Sequence, residues 1–218
     1  MFQPSVFREE RIEVMHKMMR QNPFASLVSL QDGEMVADHL PLVVHPELSE
    51  QGKLRGHLSR ANPIGTKLDQ STDVLVIFQG PHHYVTPSWY PSKMEHDKVV
   101  PTWNYIVVHA RGKVTLQQDP EWILAQLTEL TERNELGRRA PWKVSDAPEE
   151  FIARQLRGIV GVEIEITALQ GTWKVSQNKA VADSQGVSEG LRGEESDNAL
   201  AMALCVEQRR RCTDGLGS

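Results

Sequence analysis

Apolar residues recur at helical spacing through Ile12, Val14, Met15, Met18 and Met19, with charge between them, and predict a helix that Asn22-Pro23 stops. Three methionines on one face read as adaptable core packing. Phe24 to Leu30 then reads as a strand. Gln31-Asp32-Gly33-Glu34 reads as a hairpin turn, because Asp-Gly readily takes positive-φ positions. The return strand, Met35 to Val44, carries Pro41, which has no amide to give a ladder, so the strand is an edge or is kinked there. Lys53 to Leu58 predicts a third strand, and a short helix follows from Ile64 to about Asp69. The apolar run from Asp73 to Phe78 predicts a buried strand ended by Gln79-Gly80-Pro81. Tyr105 to Leu116 alternates and is β-branched, a long strand with Gly112 as a bulge or close approach. Asp119-Pro120-Glu121 caps a helix to about Asn134, and a second helix runs from Glu149 to about Arg157. Val160 to Ala168 is the last strand, with Val162, Ile164 and Ile166 facing one way and Glu163 and Glu165 the other.

Short strands, hairpin turns and interspersed helices predict a mainly β protein of the α+β class, an antiparallel barrel with peripheral helices. Residues 1–192 read as one domain. Beyond them the apolar content thins, and 193–218 reads as a flexible C-terminal tail in which Ala199 to Cys205 supports a helical turn or two. The 218 residues carry a net charge of −5, which opposes an exposed phosphate-binding face, so DNA is expected to bind only weakly if at all. The chain has no apolar run that spans a bilayer and no signal-peptide pattern. Its two cysteines, Cys205 and Cys212, both fall in the tail and form no disulfide framework. A cytoplasmic protein without membrane contact is the expectation.

Candidate chemistry concentrates between Tyr84 and Tyr105. Pro87-Ser88-Trp89-Tyr90 is answered by Pro101-Thr102-Trp103-Asn104, with Lys93 in the polar segment between them. Each Pro fixes φ and removes a donor, so both indoles are expected to leave rigid corners. Two indoles, phenols, hydroxyls, an amide and a lysine suit a flat aromatic ligand that carries an anion. The same residues also suit a packed barrel corner. A second cluster, His57, Ser59, Arg60 and Asn62, follows the third strand; an Arg fork beside a hydroxyl suits a phosphate dianion, and an Asx turn closed by Asn62 is the alternative. A third, Lys174-Val175-Ser176-Gln177-Asn178, follows the last strand. Lys174, Ser176 and Asn178 share a side if the chain is extended, as an anion or flavin-edge grip or as a solvated strand end.

Gly56-His57-Leu58-Ser59-Arg60-Ala61-Asn62-Pro63, the Ser88-Trp89-Tyr90 and Val100-Pro101-Thr102-Trp103-Asn104-Tyr105 pieces, and Lys174 to Asn178 resemble, in that order, the PaiB family. The resemblance runs from Met1 to about Leu191. It implies a Greek-key split β-barrel of the FMN-binding type and a homodimer with FMN at the subunit interface. It also implies Arg60 and Ser59 as phosphate contacts and a role as a negative transcriptional regulator. Three functions follow: a flavin-dependent redox protein, a regulator that has lost flavin, or a haem-handling split barrel.

Other chemistries find little support. His82 and His83 are adjacent and face opposite sides of a strand. His39, His57 and His109 are scattered without metal-ligand spacing, so no metal site is expected, although a single axial His suffices for haem. No Gly-x-Ser-x-Gly elbow, dinucleotide fingerprint or Walker loop occurs. No residue is assignable as a catalytic acid or base.

Overall fold

The computed structural model describes residues 1–69 and 71–213. In chain order these form β1 (Arg8–Glu9), α1 (Ile12–Gln21), β2 (Phe24–Gln31), β3 (Glu34–Pro41), β4 (Val43–His45), β5 (Lys53–Ser59), α2 (Ile64–Lys67), β6 (Val74–Val85), α3 (Lys93–His96), β7 (Thr102–Gln117), α4 (Pro120–Glu135), α5 (Glu149–Leu156), β8 (Ile159–Lys174), α6 (Val181–Arg192) and α7 (Asp197–Thr213). The strands make one antiparallel eight-stranded sheet in the order β3-β2-β6-β7-β8-β5-β4, with β1 paired to β8, so the protein is α+β. The three long strands, β6, β7 and β8, each contribute residues to two compact units.

One unit comprises His16–Phe78 and His109–Leu169. Its hairpin forms as Asp-Gly dictates: Asp32 (φ 50°) and Gly33 (φ 84°) occupy the left-handed region, and β2 and β3 pair from Gln31↔Glu34 to Phe24↔Pro41. Pro41 closes β3, and the chain resumes as β4 two residues on. Alternate residues of β2 and β5 enter a core with Leu27, Leu54, Val76, Phe78, Ile123, Val162 and Ile164, each no more than 1% exposed. Gly112 is a close approach: a Cβ there would collide with the Glu165 carbonyl and Ile164. Asp119 caps α4 by accepting from the Glu121 amide. Trp122 of that helix lies against Gly161, and the Arg55 guanidinium sits 5.4 Å above its ring.

The other unit comprises Met1–Met15, Gln79–Val108 and the chain from Gln170. Here β6 does not stop at Gln79-Gly80-Pro81 but continues to Val85. The alternation of buried positions breaks after Gly80, which is how a strand accommodates a proline without an amide. Likewise β7 begins at Thr102, so Trp103 and Asn104 are strand residues, not a corner, and β8 runs six residues past Ala168 to Lys174. Residues 181–192 form α6, which the sequence pattern did not indicate.

Within the expected flexible tail, Asp197–Thr213 is the helix α7. Ala199, Met202, Ala203 and Val206 of α7 are each at most 1% exposed, at i, i+3, i+4 and i+7, and face α6. The side-chain amide of Asn198 both accepts from the His82 N–H (3.2 Å) and donates to the His82 carbonyl (2.7 Å), as a neighbouring strand would. Arg209 reaches the buried carboxylate of Glu9 (3.4 Å), which Arg11 also holds at 2.7 and 2.8 Å. Residues 214–218 of the expected tail lie outside the described residues.

Candidate functional site

The Pro87 corner is built for packing. Thr86 accepts from the Ser88 amide, and Pro87–Trp89 makes a single tight helical turn. That turn presents Trp89 to α6, where its ring fills the space a Cβ at Gly190 would need and its backbone does the same at Gly186. His83 stacks on Trp89 at 6.4 Å. Tyr90 follows into the core at 2% exposure, with its hydroxyl unbonded. Burial, with the Asp183 carboxylate adding to it, raises the Tyr90 pKa. Ser92 donates its amide (3.1 Å) and hydroxyl (2.8 Å) to the two oxygens of Asp183. Ser88 and Lys93 are exposed.

Trp103 behaves differently. It leaves the outer side of β7 at 49% exposure, with His82 stacked at 6.1 Å and 24° and Tyr84 edge-on at 6.1 Å. The result is an exposed aromatic platform on β6 and β7. Large aromatic area in water is costly unless a partner covers it.

The opposite side of β7 carries Thr102 and Asn104. Asn104 is 1% exposed and bonds the buried Ser176 hydroxyl at 2.9 Å, so each satisfies the other. Lys174 donates to the Thr102 hydroxyl at 2.6 Å. Partial burial, and then the charge of Lys179, hold the Lys174 pKa below the ordinary lysine value. Lys179 itself lies 4.9 Å above the Tyr90 ring. The extended geometry expected for Lys174, Ser176 and Asn178 is absent: β8 ends at Lys174 and Ser176 has φ 64°, so alternation stops there. Gln177 closes the turn, accepting from the Val175 amide (2.8 Å) and donating to the carbonyls of Val6 (3.1 Å) and Trp173. Asn178 is exposed.

In the other unit, the cluster after β5 is tied up internally. The Arg60 guanidinium donates to the carbonyls of Arg157 (3.0 Å) and Ile159 (2.8 Å) and to Gln118 Oε1, which pins the start of β8. Ser59 Oγ accepts from the Ala61 amide. Asn62 accepts from the Ile64 amide (2.9 Å) and donates to Asp38 (2.6 Å), the Asx turn that was the alternative reading. His57 Nδ1 meets Gln126 Oε1 at 2.9 Å.

The fold therefore brings together, in one unit, an exposed aromatic platform and a pair of lysines that no carboxylate neutralises among the described residues. Lys179, Tyr84 and His82 were missed as site residues. Lys179 directly follows the Lys174–Asn178 motif, and His82 and Tyr84 alternate along the part of β6 beyond Gln79-Gly80-Pro81, where the pattern ends that strand.

Residues 1–168 match the family model described as "Putative FMN-binding domain". Protease synthase and sporulation protein PAI 2 of Bacillus subtilis is 33% identical over 209 residues, 96% of this chain and 98% of its own. Uncharacterized protein AN0679 of Emericella nidulans is 32% identical over 249 residues, 98% of this chain and 99% of its own. Among solved structures, the FAD and heme binding protein from Mycobacterium smegmatis matches with a TM-score of 0.55 at 15% identity, covering 77% of this chain and 73% of that chain. The flavocytochrome Anf3 from Azotobacter vinelandii matches with a TM-score of 0.55 at 12% identity, covering 77% and 69%. At those identities the likeness is one of fold, the flavin-binding split barrel.

Proposed function

We propose that this chain, which belongs to the PaiB family of FMN-binding domain proteins, holds FMN with its ring against Trp103 and acts as a flavin-linked redox or regulatory protein. The observation that carries this reading is the platform of Trp103, His82 and Tyr84 held open at the surface. An electron-poor isoalloxazine gains from stacking on electron-rich faces. When bound, FMN supplies the electron or hydride chemistry, and this chain's residues bind, orient and shield it. Trp89, seated on Gly186 and Gly190, and Tyr90, in the core, are not ring contacts in this reading. Arg60, Ser59 and Asn62 hold the backbone and do not meet the phosphate.

A homodimer fits the same surface, because two copies meeting there cover aromatic area that one leaves in water. The protein is cytoplasmic in this reading; among the described residues no helix is long and apolar enough to cross a membrane. Any regulatory role runs through protein partners or weak DNA contact, since Arg209 is turned to Glu9.

The absorbance spectrum of the purified protein, alone and titrated with FMN, tests the reading. Flavin bands, or saturable FMN uptake with quenched fluorescence, are expected. A Soret band with no flavin uptake would instead make it a haem-handling barrel.

A further inference from the structure

We propose that Lys174, Lys179 and the Thr102 hydroxyl form a seat for a phosphate-type dianion, the end of a phosphomonoester ligand or free phosphate. The seat goes beyond the flavin reading, because it stands on phosphate binding alone.

The surroundings of the two amines carry the inference. Lys174 is half-buried at the end of β8, and its bonding partner is a neutral hydroxyl, Thr102 Oγ1 at 2.6 Å. A lysine drawn out of water ordinarily meets an acid. Here neither Lys174 nor Lys179 has a carboxylate within ion-pair distance among the described residues. The acid nearest in sequence, Asp183, has both oxygens turned to Ser92. Lys179 approaches close enough for its charge to disfavour the Lys174 ammonium, and it rests on the Tyr90 face. Two like charges kept together without a counter-ion cost stability in a chain with a net charge of −5 and acids to spare.

A dianion reverses that cost, since it accepts from both ammonium groups at once while Thr102 keeps one donor to offer. The backbone fixes the arrangement. Ser176 in the left-handed region turns the chain, the Lys179 amide closes that turn on the Ser176 carbonyl (3.0 Å), and Gln177 ties it to Trp173 and Val6. Held this way, the lysines are pre-organised rather than waving in solvent.

Calorimetric titration of the full-length protein with FMN, riboflavin and inorganic phosphate separates the sources. In the wild type, FMN should bind at least about tenfold tighter than riboflavin, and inorganic phosphate should compete with FMN. Lys179→Gln and Lys174→Gln, checked by thermal melting, should erase that preference and weaken phosphate by about ten- to a hundredfold. Thr102→Val should weaken it less. If neither flavin binds but phosphate does, with the same lysine dependence, the flavin reading fails and the seat stands. Equal binding of FMN and riboflavin with no phosphate competition, or phosphate binding indifferent to both lysine substitutions, overturns the seat even if flavin binds.

Discussion

The turn after β5 and the end of β8 hold much the same residue types, a cation, a hydroxyl and an amide, yet they end in opposite states. Around Arg60 all three guanidinium nitrogens are engaged: two donate to the carbonyls of Arg157 and Ile159, just before and at the start of β8, and one to Gln118. Around Lys174 the amine meets a neutral hydroxyl, and a second cation stands beside it. The two tryptophans repeat the contrast. Trp89 is seated on Gly186 and Gly190, whereas Trp103 is half in water with two rings beside it. Residue type proposes a ligand contact; what decides is whether the fold has already used its valences and its surface.

The contrast breaks most sharply at the tryptophans. Trp89→Ala empties the space over α6 and is expected to destabilise the protein by about 3 kcal/mol, read as a lower denaturation midpoint. Trp103→Ala removes a side chain with little buried support and should change stability by less than about 0.5 kcal/mol while weakening FMN. Equal destabilisation by the two would erase the distinction between prop and platform.

At the next level, Arg60→Ala should cost about 1–2 kcal/mol, because carbonyls of Arg157 and Ile159 lose their donor but stay near water. Asn104→Ala should cost about 1–3 kcal/mol, since it strands the buried Ser176 hydroxyl. Chemical denaturation of both variants reads these values; an Arg60→Ala protein as stable as wild type would show that the fork is not holding the backbone.

Most of the barrel's own elements were legible because their signals are local. Asp32-Gly33 sets a turn by its φ preferences, Asp119-Pro120 caps and starts a helix, and Val162, Ile164 and Ile166 alternate with acids. What was not legible depends on contacts distant in sequence. The stretch that becomes α6 carries Gly186 and Gly190, poor helix formers, and it is helical because those glycines receive Trp89. Asn198 completes a ladder for His82, on the part of β6 that lies beyond Gln79-Gly80-Pro81, where the local pattern ends the strand. The spacing of Ala199, Met202, Ala203 and Val206 was a readable helix signal that charge in the tail obscured.

The candidate site was legible by residue type but not by role. Lys174 and Trp103 remain candidates, Arg60 and Trp89 are engaged elsewhere, and Lys179 needed the turn at Ser176 to become relevant.

The smallest expected effect is on acid stability. Burial alone would raise the Glu163 pKa, but hydrogen bonds and charge from Lys53 (3.1 Å) and Arg55 (2.7 Å) outweigh it and hold it below the ordinary 4.5. A carboxyl whose folded pKa is depressed contributes stability that is fully present above the unfolded value. That contribution is lost as pH falls through the folded one. Melting temperature should therefore drop below about pH 4.5 more steeply in wild type than in Glu163→Gln. Parallel curves would show the pair to be neutral.

One titration tests the central contrast directly: FMN added to wild type, Arg60→Ala and Trp103→Ala, followed by fluorescence quenching. Arg60→Ala should bind FMN as wild type does, and Trp103→Ala should bind about fivefold more weakly, the loss of roughly 1 kcal/mol of ring contact. FMN binding lost in Arg60→Ala but intact in Trp103→Ala would contradict the assignment of one region to scaffold and the other to ligand.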